Sequence, residues 1–227
     1  MGKINDLKDQ ALATLRGKWG SFVGITFIYF LFVSIASGFT SYGSIFQATN
    51  FSTLSLVCTC SGVLLTLLML PISMGFSIAH LHASRQDLPA DPGDLFYGYK
   101  NFWHVLGTFI LEYLAVFAGF ILFVIPGIIL AFAYAMVPFI LRDHPELSIT
   151  ETLWTSRMMM KGHKWELFVL ELSFIGWALL CVLTLFIGYL WLMPYMQMTI
   201  TKFYEKIRAE YEGNSDNSMS ENNTEIA

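Results

Sequence analysis

Long apolar runs alternate with short polar segments along this chain, and the short segments carry nearly all of the lysines and arginines. A helix needs about 17–25 apolar residues to cross the roughly 30 Å hydrocarbon core of a bilayer. Runs of about this length cover residues 20–38, 54–79 and 103–125. The pattern therefore predicts an all-α, polytopic transmembrane helical bundle.

Two apolar stretches are too long for one span. Residues 103–141 would form a helix near 58 Å long, so we predict a tight hairpin that turns at Pro126-Gly127. Residues 165–204 allow two interpretations. They form either one long helix with an amphipathic tail, or a second tight hairpin that turns between Thr184 and Gly188.

The distribution of basic residues favours the hairpin. Lysines and arginines occur before Trp19, in the loop that contains Arg85 and Lys100, between Arg142 and Lys164, and after residue 201; none lies between residues 39 and 53. Loops rich in Lys and Arg stay in the cytoplasm. We therefore predict six spans with both termini cytoplasmic, and five spans as the alternative. We expect the first span to be retained, since an 18-residue leader with two acids is atypical of a cleaved signal peptide.

A similar preface precedes each of the three predicted hairpins. It consists of a segment predicted to be an interfacial amphipathic helix (residues 4–15, 92–99 and 148–161) and a junction of basic and aromatic residues. The third helix opens with Ser148 and Glu151 in the spacing of a capping box. Tryptophan beside Lys or Arg suits the membrane interface, where the cation meets anionic lipid. The predicted headgroup contacts are Arg16, Lys18, Trp19, Lys100, Trp103, Lys161, Lys164 and Trp165. The threefold pattern indicates an internal repeat; its alternative is the ordinary placement of basic residues at cytoplasmic span starts.

Composition agrees with the membrane assignment. Charged residues make up 13% of the chain, about half of the fraction in soluble domains. The net charge of −4 and the lack of a long basic patch argue against nucleic-acid binding. We predict a single integral membrane domain over residues 1–208. Residues 209–227, rich in Asn, Ser and Glu, are predicted to form a disordered cytoplasmic tail.

Two acids inside predicted spans are the candidate functional site. A carboxylate in a span is costly, so Glu112 and Glu171 are expected to face the protein interior. Their predicted depths differ by only about 4–5 Å, so they could share a polar cavity, with Tyr134 and Trp177 as neighbours. The alternative is that each acid is a structural hydrogen bonder, or is neutral because it is buried.

No pattern indicates a metal, a cofactor or a catalytic group. The rings of His80 and His82 would lie about 200° apart on a helix, and Cys58 and Cys60 lack the spacing of a metal or redox motif. No phosphate-binding loop is present, nor a Ser-His-Asp order with supporting motifs. We therefore predict no cofactor and favour a protein that is not an enzyme.

Several separated motifs resemble a known family. They are Ile125-Pro126-Gly127-Ile128, Tyr134, residues 148–164, Phe174-Ile175-Gly176-Trp177 and residues 190–195. Together they are similar to the domain of unknown function 975 family of bacterial integral membrane proteins, and the resemblance covers residues 1–208. More distantly, the Pro-Gly turn and the segment that holds Glu151, Ser156 and Arg157 resemble the membrane domain of glycerophosphodiester phosphodiesterases. The chain has no room for the catalytic barrel of those enzymes, so the resemblance implies a membrane architecture and no enzymatic activity.

These observations predict an integral membrane protein of unassigned activity in the bacterial cytoplasmic (inner) membrane. The favoured function is a non-enzymatic module that binds lipid or a small solute between the hairpins, with or without transporting it. The alternative is a structural or regulatory membrane factor that recruits protein partners. Membrane lipids are the expected partners; the sequence does not define protein partners or the oligomeric state.

Overall fold

The computed structural model describes residues 2–49 and 53–225, and this part of the chain folds into helices without a β-strand. Ten α-helices and one ten-residue 3-10 helix follow one another. Their bounds are α1 Gly2–Leu15, α2 Trp19–Thr49, α3 Thr53–Gln86, the 3-10 helix Pro92–Asn101, α4 Phe102–Leu122, α5 Val124–Tyr134, α6 Val137–Asp143, α7 Ile149–Met159, α8 Lys164–Leu172, α9 Ile175–Leu183 and α10 Tyr189–Glu225.

Five helical segments of the described residues are long and apolar enough to cross a membrane. They are Trp19–Gly38, Leu56–Gln86, Pro92–Leu122, Val124–Asp143 and Lys164–Leu183. Many of their large apolar side chains are exposed, as a lipid-facing surface requires. The chain is therefore a multi-pass membrane protein, as its sequence pattern indicates.

The predicted sixth span corresponds to α10, which is not among these five segments. This helix lies inside the bundle, where it packs against α1, α2 and α3. Thr199 and Thr201 are fully buried on it, and the Gln197 amide donates a hydrogen bond to the Ser77 hydroxyl at 2.9 Å. Helices that contact protein on most sides can carry such polar groups, which lowers their mean hydropathy. Six spans and three transmembrane hairpins therefore stay predictions.

The break after α4 occurs three residues earlier than the sequence suggests. Phe123 is extended (φ −163°, ψ 156°) and separates α4 from α5. Pro126 lies in the first turn of α5, where its missing N–H is not needed. Pro-Gly therefore marks the start of the second helix and not the turn.

The segments predicted as interfacial amphipathic helices pack mainly against protein. Leu7, Ala11 and Leu15 of α1 are buried in the core, and α1 lies along α10. The 3-10 helix packs so closely against α3 that a Cβ on Gly75 would lie 2.1 Å from the Leu95 carbonyl oxygen. The capping box at Ser148 is confirmed. An in-plane position on the membrane surface stays a prediction for all three segments.

The last helix continues through the tail that the composition predicts to be disordered, since α10 ends at Glu225. The division into a membrane domain and a disordered cytoplasmic tail stays a prediction.

Candidate functional site

Glu112 lies in the middle of α4, partly buried, at the level of Tyr134. Gly119 and Gly127 make the close contact between α4 and α5, because a Cβ on Gly119 would lie 3.1 Å from the Cα of Gly127. Glu112 precedes Gly119 by seven residues and Tyr134 follows Gly127 by seven, so the antiparallel helices place both at one depth. Within the described residues, the buried Oε2 of Glu112 has no hydrogen-bond partner.

Glu171 and Trp177 lie in other surroundings. Glu171 is exposed near the end of α8, and Trp177 is 58% exposed on α9. Trp177 lines an apolar pocket of about 440 Å³ together with Trp19, Trp191 and Tyr195. Neither Glu112 nor Glu171 lines the cavities described here, so the roles of both carboxylates stay predictions.

The predicted headgroup contacts fall into two groups. The Lys18 ammonium donates to the carboxylate of Asp87 and to its carbonyl oxygen, and Trp19 packs partly buried against the core. The other group lies at the surface of the bundle, where Trp103 is 80% and Trp165 72% exposed; contact with headgroups stays a prediction for it. Arg16, Lys100 and Lys161 are exposed, and Lys164 is half-buried. Sequence spacing could not separate the groups, because the Lys18–Asp87 contact joins segments far apart in the chain.

Lys100 and Trp103 border an open cleft of about 780 Å³, which we call the Lys100 cleft. It lies between the junction of the 3-10 helix with α4 and the loop before α7. Its walls are residues 99–104 and residues 145–148. A narrower pocket of about 250 Å³ shares Lys100, Asn101, His104 and Pro145 with the cleft and extends inward to Met74 and Leu141. The cleft thus has an open mouth and a closed end.

Two cations approach one aromatic ring at the closed end. The Lys100 ammonium lies 4.6 Å from the centre of the Tyr97 ring, and the Arg142 guanidinium 4.8 Å. Arg142 Nε donates to His82 Nε2 at 3.0 Å, so that nitrogen is unprotonated and Nδ1 carries the proton donated to Asp94. Lys100 forms no ion pair with a carboxylate of the described residues. It is therefore the cation of the cleft that can bind an anion.

A second polar cluster joins α3, α6 and α10 around Asp143, whose side chain is 5% exposed. Arg85 donates two parallel hydrogen bonds of 2.7 Å to its carboxylate, and Tyr204 and Arg208 each donate one of 2.8 Å. Burial raises the pKa of Tyr204, and the charge of Asp143 raises it further, so the phenol stays a donor. Sequence reasoning missed this cluster. Its visible signal is a pair of opposite charges, Arg85 and Asp143, at the ends of two apolar runs.

An apolar groove of about 650 Å³ runs between α3 and α4. Thr66, Leu67 and Leu70 form its α3 side. On the α4 side lie Ile110, Tyr113, Leu114, Val116, Phe117 and Phe120. It opens toward the surroundings of the bundle, since Leu114 and Phe117 are more than 60% exposed.

The described residues hold no group of three or more His, Cys, Asp and Glu side chains arranged to bind a metal ion.

These features define a multi-pass helical membrane protein with an open cleft beside Lys100, near one end of α4. The model of one family, described as "Protein of unknown function (DUF975)", matches residues 109–211. All the motifs on which the family resemblance rests fall within this range, so the resemblance is confirmed over these residues; its extension to residues 1–108 stays a prediction. No curated protein and no solved structure matches the chain, and the more distant resemblance to the phosphodiesterase membrane domain stays a prediction.

Proposed function

We propose that this protein binds an anionic membrane lipid, with the phosphate of the headgroup in the Lys100 cleft. One observation carries the proposal: Lys100 has no carboxylate partner among the described residues and stands beside a tryptophan that is 80% exposed. A lysine beside an interfacial tryptophan matches the boundary between headgroups and hydrocarbon. Asn101 and His104 supply further hydrogen-bonding groups in the same cleft.

The path of the acyl chain follows one face of α4. Trp103, Ile110, Leu114 and Phe117 recur at helical spacing on this face, and each is exposed. From Trp103 to Phe117 the helix rises about 21 Å, close to the length of a long acyl chain. The last three residues also line the apolar groove against α3. A headgroup in the cleft would therefore direct one tail into this groove.

Lys100, and not the N-terminus of α7, is the anion-binding group of the cleft. The first turn of α7 begins at the cleft wall, but its own Glu151 already occupies that end. The Ser148 hydroxyl donates to this carboxylate and holds the pKa of Glu151 below its usual value. The carboxylate of Glu146 also lines the cleft, and His144 Nδ1 lies 3.2 Å from it. A phosphate would therefore contact the side of the cleft formed by residues 99–104.

The basic loops support a position in the bacterial cytoplasmic membrane with both termini in the cytoplasm. When the helices cross outward and back in pairs, the loops that hold Lys100, Lys161 and Lys164 all lie in the cytoplasm, at the inner leaflet. Anionic lipids attract such cations, and each cation near the membrane surface contributes about 1 kcal/mol of binding free energy. The proposal is limited to binding; it includes no chemical step.

The test compares the lipids that stay bound to Lys100→Gln and to wild-type protein, with Arg157→Gln as the matched control. Both variants remove one exposed cation, but Arg157 lies outside the cleft and is not a predicted headgroup contact. Each protein is purified in mild detergent, incubated with equal phosphatidylglycerol and phosphatidylcholine, and examined by native mass spectrometry. We expect Lys100→Gln to lose most of the preference for phosphatidylglycerol and Arg157→Gln to keep it. Equal preference in all three proteins would contradict the proposal.

A further inference from the structure

The third hairpin consists of α8, α9 and the beginning of α10, and its tip is residues Thr184–Gly188. The tip and the residue before it expose large apolar side chains: Leu183 is 81% exposed, Leu185 83%, Phe186 65% and Ile187 61%. Turns that face water are usually built from Gly, Asn, Asp, Ser and Pro. The tip of the third hairpin has the composition of a surface in contact with hydrocarbon.

The N–H groups of the tip meet one requirement of such a surface. Every N–H from Thr184 to Leu192 donates a hydrogen bond within the hairpin. Eight of these bonds go to backbone carbonyls, and the ninth joins the Gly188 N–H to the Thr184 hydroxyl oxygen at 3.2 Å. The same hydroxyl donates to the Cys181 carbonyl at 3.0 Å. Hydrocarbon offers no partner to an N–H group, so irregular backbone there must satisfy its donors internally.

Two residues of the tip adopt a conformation that favours glycine. Leu185 has φ 51° and Phe186 has φ 65°, in the left-handed region. A tight turn in water would ordinarily place Gly or Asn at these positions. The apolar side chains that stand there are the most exposed of the turn, so they contribute by contact with the surroundings and not by packing inside the protein.

The tip lies beside the middle of the first span. The rings of Phe30 and Tyr189, the residue after the tip, have centroids 6.1 Å apart. Phe30 follows Trp19 by about 16 Å along α2, near the middle of the apolar segment Trp19–Gly38. From Phe30, α2 continues to Thr49, about 28 Å farther. Helix α2 therefore continues to the opposite surface of the membrane, whereas the third hairpin turns back beside the middle of α2.

We infer that the third hairpin enters the membrane from the cytoplasmic side, ends with its tip in the hydrocarbon, and returns. The exposed side chains of the tip contact the acyl-chain region of the bilayer. The return of the chain to its starting side keeps the C-terminus in the cytoplasm with four complete spans. It also accounts for the more polar sequence of α10. The segment before it, Lys164–Leu183, is apolar enough to cross a membrane, whereas α10 is not.

The experiment places single cysteines in a background in which Cys58, Cys60 and Cys181 are replaced by Ala. Leu185→Cys tests the tip, and Leu183→Cys tests the same surface if the first variant does not fold. Thr49→Cys is the control for the outer side and Gln86→Cys for the cytoplasmic side. A membrane-impermeant maleimide is applied to intact cells and to inverted vesicles.

We expect the tip cysteine to react at least about tenfold more slowly than either control from both sides, since a thiol in hydrocarbon does not ionise. It should react fully once the protein is denatured in SDS. Labelling from the outside at the rate of Thr49→Cys would show a complete crossing and overturn the inference. Labelling from the inside at the rate of Gln86→Cys would place the tip in water and also overturn it.

A nitroxide on the same cysteine distinguishes lipid from a protein contact. The label is attached in detergent, and the protein is then reconstituted into vesicles. A label in hydrocarbon collides often with molecular oxygen and rarely with a water-soluble nickel chelate, which is the expected result. Rare collisions with both would show that the tip is covered by protein, such as a second copy of the chain, and would contradict the inference.

Discussion

Replacement of Asp143 by Asn tests whether the cluster around this carboxylate holds α3, α6 and α10 together. The carboxylate accepts four hydrogen bonds, three of them from the guanidinium groups of Arg85 and Arg208. An amide keeps the shape but removes the charge and replaces one acceptor by a donor. Tyr204 and the two arginines would then compete for one oxygen.

The magnitude follows from burial. Removal of one partner from a buried ion pair costs about 3–5 kcal/mol. The side chains of Arg85 and Arg208 are 33% and 31% exposed, so water partly solvates them once they lose the carboxylate. We therefore expect a loss of unfolding free energy near the lower end of this range, about 3 kcal/mol. Such a loss lowers the Tm of a domain of this size by about 6–12 °C.

The assay is thermal unfolding in one detergent, followed by circular dichroism. Asp87→Asn is the matched control, because Asp87 is also paired with a lysine but its side chain is 86% exposed. Its Tm should stay close to that of the wild-type protein, since exposed ion pairs contribute little. A Tm of Asp143→Asn within about 2 °C of the control would refute the argument that this cluster stabilises the bundle.

Four further substitutions test other parts of the structure, mainly by the same unfolding assay. Gly75→Ala should destabilise strongly, because its Cβ would meet the Leu95 carbonyl at 2.1 Å, whereas Gly24→Ala, with nothing within 4 Å, should stabilise α2 by about 0.5–1 kcal/mol. Equal Tm values for the two variants would contradict the close contact. Ser148→Ala should lower stability by about 0.5–2 kcal/mol through loss of the cap of α7, and no change in Tm would show that the cap is not needed. Glu112→Gln should leave the Tm nearly unchanged if this acid is structural; a loss of pH dependence in lipid binding between about pH 5 and 8, without unfolding, would show a role through protonation.

The helices could largely be predicted because lipid imposes a strong rule on sequence. Each apolar run of about 20 residues became a helix, since every backbone group in hydrocarbon needs a partner. The charge-free turn near Gly188 was also predictable, and α9 ends at Leu183 before α10 begins at Tyr189. The depth of that turn was not. Composition states that a segment is apolar but not which neighbour it contacts, and the inferred depth depends on the contact between Phe30 and Tyr189, which are far apart in the chain.

The polar clusters could not be predicted because they join segments that are distant in the chain. Arg85 and Asp143 are 58 residues apart, and Arg142 and His82 are 60. Spacing on one helix carries no information about such pairs. For the same reason the pattern of charges alone could not show that Lys18 is bound by Asp87 while Lys100 has no carboxylate partner among the described residues.

The amphipathic prefaces show how one pattern permits two environments. An apolar stripe on a helix fits a membrane surface and a protein core equally well. On α1, Ala11 and Leu15 are fully buried by protein, so the apolar stripe of this helix packs in the protein core. On α7, Trp154 remains 58% exposed, so this helix keeps a large aromatic side chain on its outer face.

Photocrosslinking with an anionic lipid tests the central claim most directly. Phosphatidylglycerol with a photoreactive group near its phosphate is incorporated with the protein into vesicles, and crosslinked peptides are mapped by mass spectrometry. The account predicts that crosslinks concentrate on residues 99–104, with a marked decrease in Lys100→Gln. Crosslinks spread evenly over the interfacial residues, including the surroundings of Trp165, and unchanged in that variant would contradict it.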